Sequence, residues 1–137
     1  MSRPIFLDTG PLVAFLDRKD RHHAWAATLL KSLRPPLLTC EPVIAEACWL
    51  LRRLPHGPVA VLELVARGVV RIGFDLEAES TPVAGLLARY ASVPMDLADA
   101  CLVRMTELET DGRVLTLDHD FHVYRRMGRR VVPTLMP

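Results

Sequence analysis

At 137 residues the chain has the length of a single domain, 1–137, large enough to bury about two-thirds of the surface its unfolded form exposes. Its 17 Lys and Arg face 16 Asp and Glu, a formal net charge of +1, so no whole-molecule field attracts nucleic acid and any grip on phosphate must come from a local cluster. Cys40, Cys48 and Cys101 are odd in number and lack C-x-x-C spacing, which excludes a disulfide frame or zinc site; with no signal peptide and no apolar run of ~18 residues, a soluble protein of the reducing cytoplasm is expected.

The first predicted element is the apolar run Pro4-Ile5-Phe6-Leu7, stopped by Asp8-Thr9-Gly10. A run of this length suits a strand buried on both faces of a parallel sheet. Asp8 then stands at the strand's carboxyl end, the edge where open α/β sheets bind ligands, although Asp-Thr-Gly is also good turn chemistry. Pro11 opens a short helix over Leu12 to Leu16. A second helix, Ala24 to Leu33, carries Trp25, Leu29, Leu30 and Leu33 at core-facing spacing. His22 and His23 before it point about 100° apart, so a packing role is expected rather than one shared ion. Leu37 to Cys40 is the second strand.

Pro42 marks the first turn of the next helix. From Pro42 to Leu51 every residue is apolar except Glu46, so the helix is expected to be buried nearly all round. An ionised carboxylate in such a place costs several kcal/mol unless compensated; Glu46 must pair with an arginine, hold a metal, or act as a base. After the break at Pro55-His56-Gly57-Pro58 come a helix from Val59 to Ala66, a strand from Val69 to Ile72, and a mostly helical stretch from Leu76 to Tyr90 with Leu86 and Leu87 inward.

Met95-Asp96 opens a helix running to about Leu108. Asp96 and Asp99, three apart, share a face in the first turn, where the helix dipole favours anions. Asp96 is a natural N-cap. Asp99 lies among Ala98, Ala100 and Cys101, where an unpaired acid is expensive. Val114 to Leu117 repeats the opening pattern, a buried-type strand ending in Asp118, with Asp120 close behind; one of these two acids serves to cap the next helix, and the strand end favours Asp118 for the site. Val131-Val132-Pro133 is a last strand, expected at an edge because Pro cannot donate to a central ladder. Arg125, Arg126, Arg129 and Arg130 form the densest basic cluster, a candidate grip on phosphates.

Strand–helix alternation brings Asp8, Glu46, Asp99 and Asp118 to one end of the sheet. Two carboxylates about 4 Å apart repel by ~4 kcal/mol at an effective dielectric of 20, so a cluster calls for a divalent cation. Hard oxygen ligands suit Mg²⁺ or Mn²⁺, and such a site suits phosphodiester hydrolysis.

The segments IFLDTGPLVAFLD, PVIAEACWLL, MDLADACLV and VLTLDHDF, in this order, resemble the successive motifs of the PIN-domain ribonucleases, particularly the VapC-type toxins of bacterial toxin-antitoxin pairs. The resemblance implies a three-layer α/β/α fold around a mainly parallel sheet and Mg²⁺- or Mn²⁺-dependent endoribonuclease activity on RNA. It also implies a homodimer and a small inhibitory antitoxin. By motif, Asp8, Glu46, Asp99 and Asp118 match the family's acidic quartet, with Thr9, Asp96, Thr116 and Asp120 as additional candidates. A non-catalytic PIN-like module that binds RNA or protein is the alternative. The Asp8-Thr9-Gly10 triplet also resembles that of aspartic proteases, but those folds are almost entirely β, against the helix-period segments after Gly10. A phospho-accepting receiver domain needs a late lysine, and none follows Lys31.

Overall fold

Every residue of β1 (Ile5–Leu7) and β2 (Leu37–Thr39) is buried, which a strand achieves only when both faces of its sheet are covered. In the computed structural model, which describes residues 3–137, these two strands belong to a five-stranded sheet with β3 (Val70–Ile72), β4 (Arg113–Leu115) and β7 (Thr134–Leu135). The order is β3-β2-β1-β4-β7 and every pairing is parallel. The chain therefore winds outward from β1 through β2 to β3, then returns to lay β4 on the other side of β1. That reversal opens a crevice above the carboxyl ends of β1 and β4. Six α-helices among the described residues, α1 (Thr9–Leu16), α2 (His23–Ser32), α3 (Glu41–Leu50), α4 (Gly57–Ala66), α5 (Ser80–Arg89) and α6 (Leu97–Leu108), complete the expected three-layer α/β/α arrangement.

α2 packs shallowly: only Ala26 is fully buried, while Trp25, Leu29, Leu30 and Leu33 lie half-buried against the core. His23 Nδ1 sits 2.8 Å from the Ala14 carbonyl oxygen and ties α2 to α1, the packing role expected of it. α5 starts later than the apolar pattern suggests, because Asp75 Oδ1 accepts from Ala78 N at 3.1 Å and holds the preceding residues in a turn that competes with helix. The three cysteines are free thiols, Cys40 and Cys101 buried and Cys48 half-buried. No helix among the described residues is long and apolar enough to cross a membrane.

Three expectations need correction. α3 is not buried all round: Val43, Ala47 and Leu51 form one inward stripe, while Trp49 and Leu50 are 62% and 52% exposed. One buried face suffices to dock a helix, and apolar residues on its other side stay in water. The β4 ladder ends at Leu115, so Asp118 lies in the following loop, where its N–H donates to Thr116 Oγ1 at 2.9 Å. Val131 belongs not to the main sheet but to β6 (Arg130–Val131), which pairs antiparallel with β5 (Arg125–Arg126) through a turn at Met127 and Gly128, both with positive φ. The sheet edge is instead β7, and Pro133 joins it by accepting from Val114 N at 2.9 Å.

Gly112 enters β4 where Phe6 is packed so close that a Cβ would collide with the ring, whereas Gly85, inside α5, has nothing within 4 Å of where its Cβ would be. The same substitution should therefore have opposite signs at the two positions. Gly112→Ala is expected to destabilise the fold by about 1 to 3 kcal/mol through overpacking, and Gly85→Ala to stabilise it by about 0.5 to 1 kcal/mol through helix propensity. Chemical denaturation of both variants beside the parent measures this.

Candidate active site

Each acid reaches the crevice because a secondary-structure element ends or begins there. Asp8 directly follows β1 and caps α1, its Oδ1 accepting from Thr9 N at 2.7 Å. Its Oδ2 accepts from the Thr116 hydroxyl at 2.7 Å, a bond from the loop after β4. Asp96 caps α6, accepting from Asp99 N at 2.8 Å. Asp99, in the first turn of that helix, accepts from the Tyr124 hydroxyl at 2.8 Å. Asp118 caps a 3-10 turn over His119–His122 by accepting from Asp120 N at 2.9 Å. Glu46 projects from the second turn of α3. Asp8, Glu46, Asp96, Asp99 and Asp118 line one cavity of about 270 Å³ with Thr9, Gly10, Leu50 and Leu117.

Asp120 is not part of that lining; it caps no site acid but supplies the N–H that fixes Asp118. Thr116 stands behind the cavity, between Asp8 and Asp118. Tyr124 was absent from the sequence-based candidates. It is fully buried, edge-on to Tyr90 and Phe121, and its hydroxyl bonds a carboxylate 25 residues away in sequence. A tyrosine in a short irregular segment carries no periodic signal that would announce this contact.

The arginine cluster divides. Arg126 is buried, and its Nη1 donates to the carbonyl oxygens of Thr106 at 3.1 Å and Thr110 at 3.0 Å, closing the C-terminal end of α6. Arg125 turns back on its own segment, with Nη1 donating to the carbonyls of His122, Val123 and Tyr124. The Arg126 side chain is thus taken up by the fold, whereas Arg125 engages only one of its nitrogens; Arg129 and Arg130 are exposed on the hairpin. Arg126→Ala should leave two carbonyls unsatisfied and lower stability by roughly 1 to 3 kcal/mol, read by chemical denaturation, with no loss of RNA affinity beyond that unfolding.

None of the cavity's acids is in an ion pair among the described residues. Burial is the largest influence on the titration of Asp8, Asp99 and Glu46. It raises Asp8 to about 6 against the hydrogen bonds from Thr116 and Thr9, and the charges of Asp118 and Glu46 add to the rise. Burial raises Asp99 to about 8, with the Asp96 charge assisting and the Tyr124 hydroxyl opposing. Glu46 is raised by burial first and then by the charges of Asp96 and Asp118. Among the described residues no arginine pairs with Glu46.

The acids line the cavity wall rather than converge on a point: among the described residues no three His, Cys, Asp or Glu side chains are grouped closely enough to hold an ion between them. A hydrated hard dication does not require that. Mg²⁺ keeps several waters and is held through one or two carboxylates. The cavity supplies room for those waters, hard oxygen donors, and the buried Thr9 hydroxyl, which makes no hydrogen bond of its own. The donor set thus fits a hydrated Mg²⁺ or Mn²⁺ that would be held through one or two of the carboxylates of Asp8, Glu46, Asp99 and Asp118.

Asp8 and Asp99 bind protons more tightly in the fold than in the unfolded chain. Between the unfolded value of 3.8 and about 6 for Asp8, or about 8 for Asp99, the native state carries more protons. Stability without metal should then rise as the pH falls through these values, the full gain being reached below the unfolded pKa. Melting in EDTA between about pH 9 and 5 tests the sign. Asp8→Asn, which removes one buried charge, should raise the metal-free melting temperature by the equivalent of roughly 1 to 2 kcal/mol near neutral pH.

With this geometry in view, comparisons with known proteins agree on one family. The sequence profile of the PIN domain matches residues 5–127. The protein named Ribonuclease VapC26, from Mycobacterium tuberculosis strain ATCC 25618 / H37Rv, is 27% identical over 127 residues, spanning 90% of this chain and 94% of that one. The crystal structure of Mycobacterium tuberculosis VapC20, described as a Sarcin-Ricin loop cleaving toxin, superposes with a TM-score of 0.77 at 24% identity, covering 92% of this chain and 98% of that one; at this identity it speaks for the fold. Profile, relative and fold together show that the chain belongs to the PIN domain family.

Proposed function

We propose that this protein is a Mg²⁺- or Mn²⁺-dependent endoribonuclease that hydrolyses RNA phosphodiester bonds at the cavity above β1 and β4. The observation that carries the reading is the set of acids, brought from four segments into one cavity, with no cation paired to them among the described residues. When bound, the metal supplies positive charge for the phosphoryl oxygens and lowers the pKa of water.

The chain's own residues have separable tasks. Asp8 is clamped from both sides by Thr9 N and the Thr116 hydroxyl, which fixes its carboxylate plane. Tyr124 does the same for Asp99. Asp118 is oriented by Asp120 N. Glu46, whose pKa is raised, is suited to take the proton of a water attacking phosphorus, because its basicity lies closer to the working pH than that of an ordinary carboxylate. The exposed Arg129 and Arg130 are available to contact RNA phosphates.

The relatives named above are VapC proteins, one called a ribonuclease and the other a toxin. The reading therefore extends to a toxin of a bacterial toxin-antitoxin pair, working in the cytoplasm as a homodimer and held in check by a small antitoxin.

Incubation of the purified protein with single-stranded RNA should give internal cleavage with Mg²⁺ or Mn²⁺ and none with EDTA. Asp8→Asn and Asp99→Asn should abolish cleavage while remaining folded. Mg²⁺ should raise the melting temperature of the parent more than that of either variant, since a ligand of the native state stabilises by mass action and each variant has lost part of the site. Metal-independent cleavage, or equal Mg²⁺ shifts in all three proteins, would refute the carboxylate site.

A further inference from the structure

α3 leads out of the cavity. Glu46 and Leu50, one turn apart on the same face, both line it. Trp49 stands on the adjoining row less than a turn beyond Glu46, about 5 Å along the axis. It is 62% exposed, although an indole gains much from burial. The Arg52 guanidinium carbon lies 3.7 Å from the centroid of its ring, and Arg52 Nη1 donates to the Trp49 carbonyl at 2.8 Å. One ring face is thus covered and its orientation held, so the exposure belongs to the rest of the ring. Arg53 follows, exposed, and neither arginine is in an ion pair among the described residues.

Glu46, Trp49 and Arg52 follow one another at three-residue intervals, an acid of the cavity lining, then an exposed aromatic, then the guanidinium stacked on it. Unpaired nucleobases are bound by stacking on aromatic rings and arginine planes, while free guanidinium groups hold the phosphates between them. We infer that Trp49, backed by Arg52, is a stacking platform for an unpaired base beside the scissile phosphate, and that Arg52 and Arg53 hold the adjoining backbone. The inference rests on the cavity's being an RNA-cleaving site; a base inside a duplex offers no free face to the indole, so duplex RNA should not engage the platform. A second copy of the chain could also cover an apolar face. The two unpaired arginines beside the ring favour a polyanion, and the row's continuity with the carboxylate cavity favours the substrate.

The chain has two tryptophans, so Trp25→Phe leaves Trp49 as the only indole emitter, and Asp8→Asn added to it prevents cleavage. Oligoadenylate should quench this emission. The same RNA annealed to its complement, and heparin, which has charge but no bases, should not. In the cleavage-deficient background Trp49→Ala should weaken oligoadenylate binding roughly tenfold and Trp49→Phe should restore most of it, with the sedimentation mass unchanged throughout. Absent quenching, equal quenching by heparin, or full affinity in Trp49→Ala would overturn the platform; so would a changed mass in Trp49→Ala, which would make this face a contact between copies. Cleavage by the parent, assayed in parallel, separates the two ideas. Cleavage without quenching removes the platform and leaves the nuclease, and quenching without cleavage does the reverse.

Discussion

The hydrogen bond from the Thr116 hydroxyl to Asp8 Oδ2 spans 108 residues of sequence. It can form because β4 returns to pair with β1, in register from Ile5 with Arg113 to Leu7 with Leu115. Had the chain continued outward from β3, the two loops would lie at opposite sides of the sheet and no acidic cavity would exist. The reversal of winding is therefore the constraint on which the site depends. The packing that enforces it is apolar, with Phe6, Leu7, Val114 and Leu115 buried at the shared ladder.

That constraint carries an electrostatic cost. Asp8 and Asp99 are 7% and 6% exposed, and among the described residues no basic side chain pairs with them. What offsets the cost is a set of hydrogen bonds, two to Asp8 and one from Tyr124 to Asp99. These bonds pull the pKa values down, but burial outweighs them and both carboxyls remain raised. Replacing these acids by neutral residues would relieve the fold, so their burial is a cost to stability in the metal-free protein.

Much of this was legible in the sequence, and the exceptions have physical causes. Buried parallel strands are short and uniformly apolar, so β1, β2 and β4 could be read from composition, and Asp8 followed from where the first of them stops. The apolar run from Pro42 to Leu51 misled, because a run without polar punctuation looks the same whether a helix is enclosed or has one face in water; Trp49 and Leu50 settle that only by their exposure. The arginine cluster misled in the opposite way. Charge suggests solvent, yet Arg126 finds unpaired carbonyls at the end of α6 and turns inward to them. Tyr124 could not be found at all, since its role is defined by a partner on another element.

Turn chemistry and site chemistry were set against each other for Asp8, for Asp96 and for the pair Asp118 and Asp120, and the structure shows why they need not compete. Asp8, Asp96 and Asp118 each cap the helical segment that follows, and each also lines the cavity. A carboxylate at an N-cap has one oxygen engaged by backbone N–H and sits in the positive end of the helix field, which orients it and eases its charge. At Asp96 and Asp118 the other oxygen is left open, whereas at Asp8 it accepts from the Thr116 hydroxyl. Helices that begin at the carboxyl edge of a parallel sheet thus present oriented acids to the crevice as a consequence of how they start, and the capping bond itself fixes the direction each acid takes.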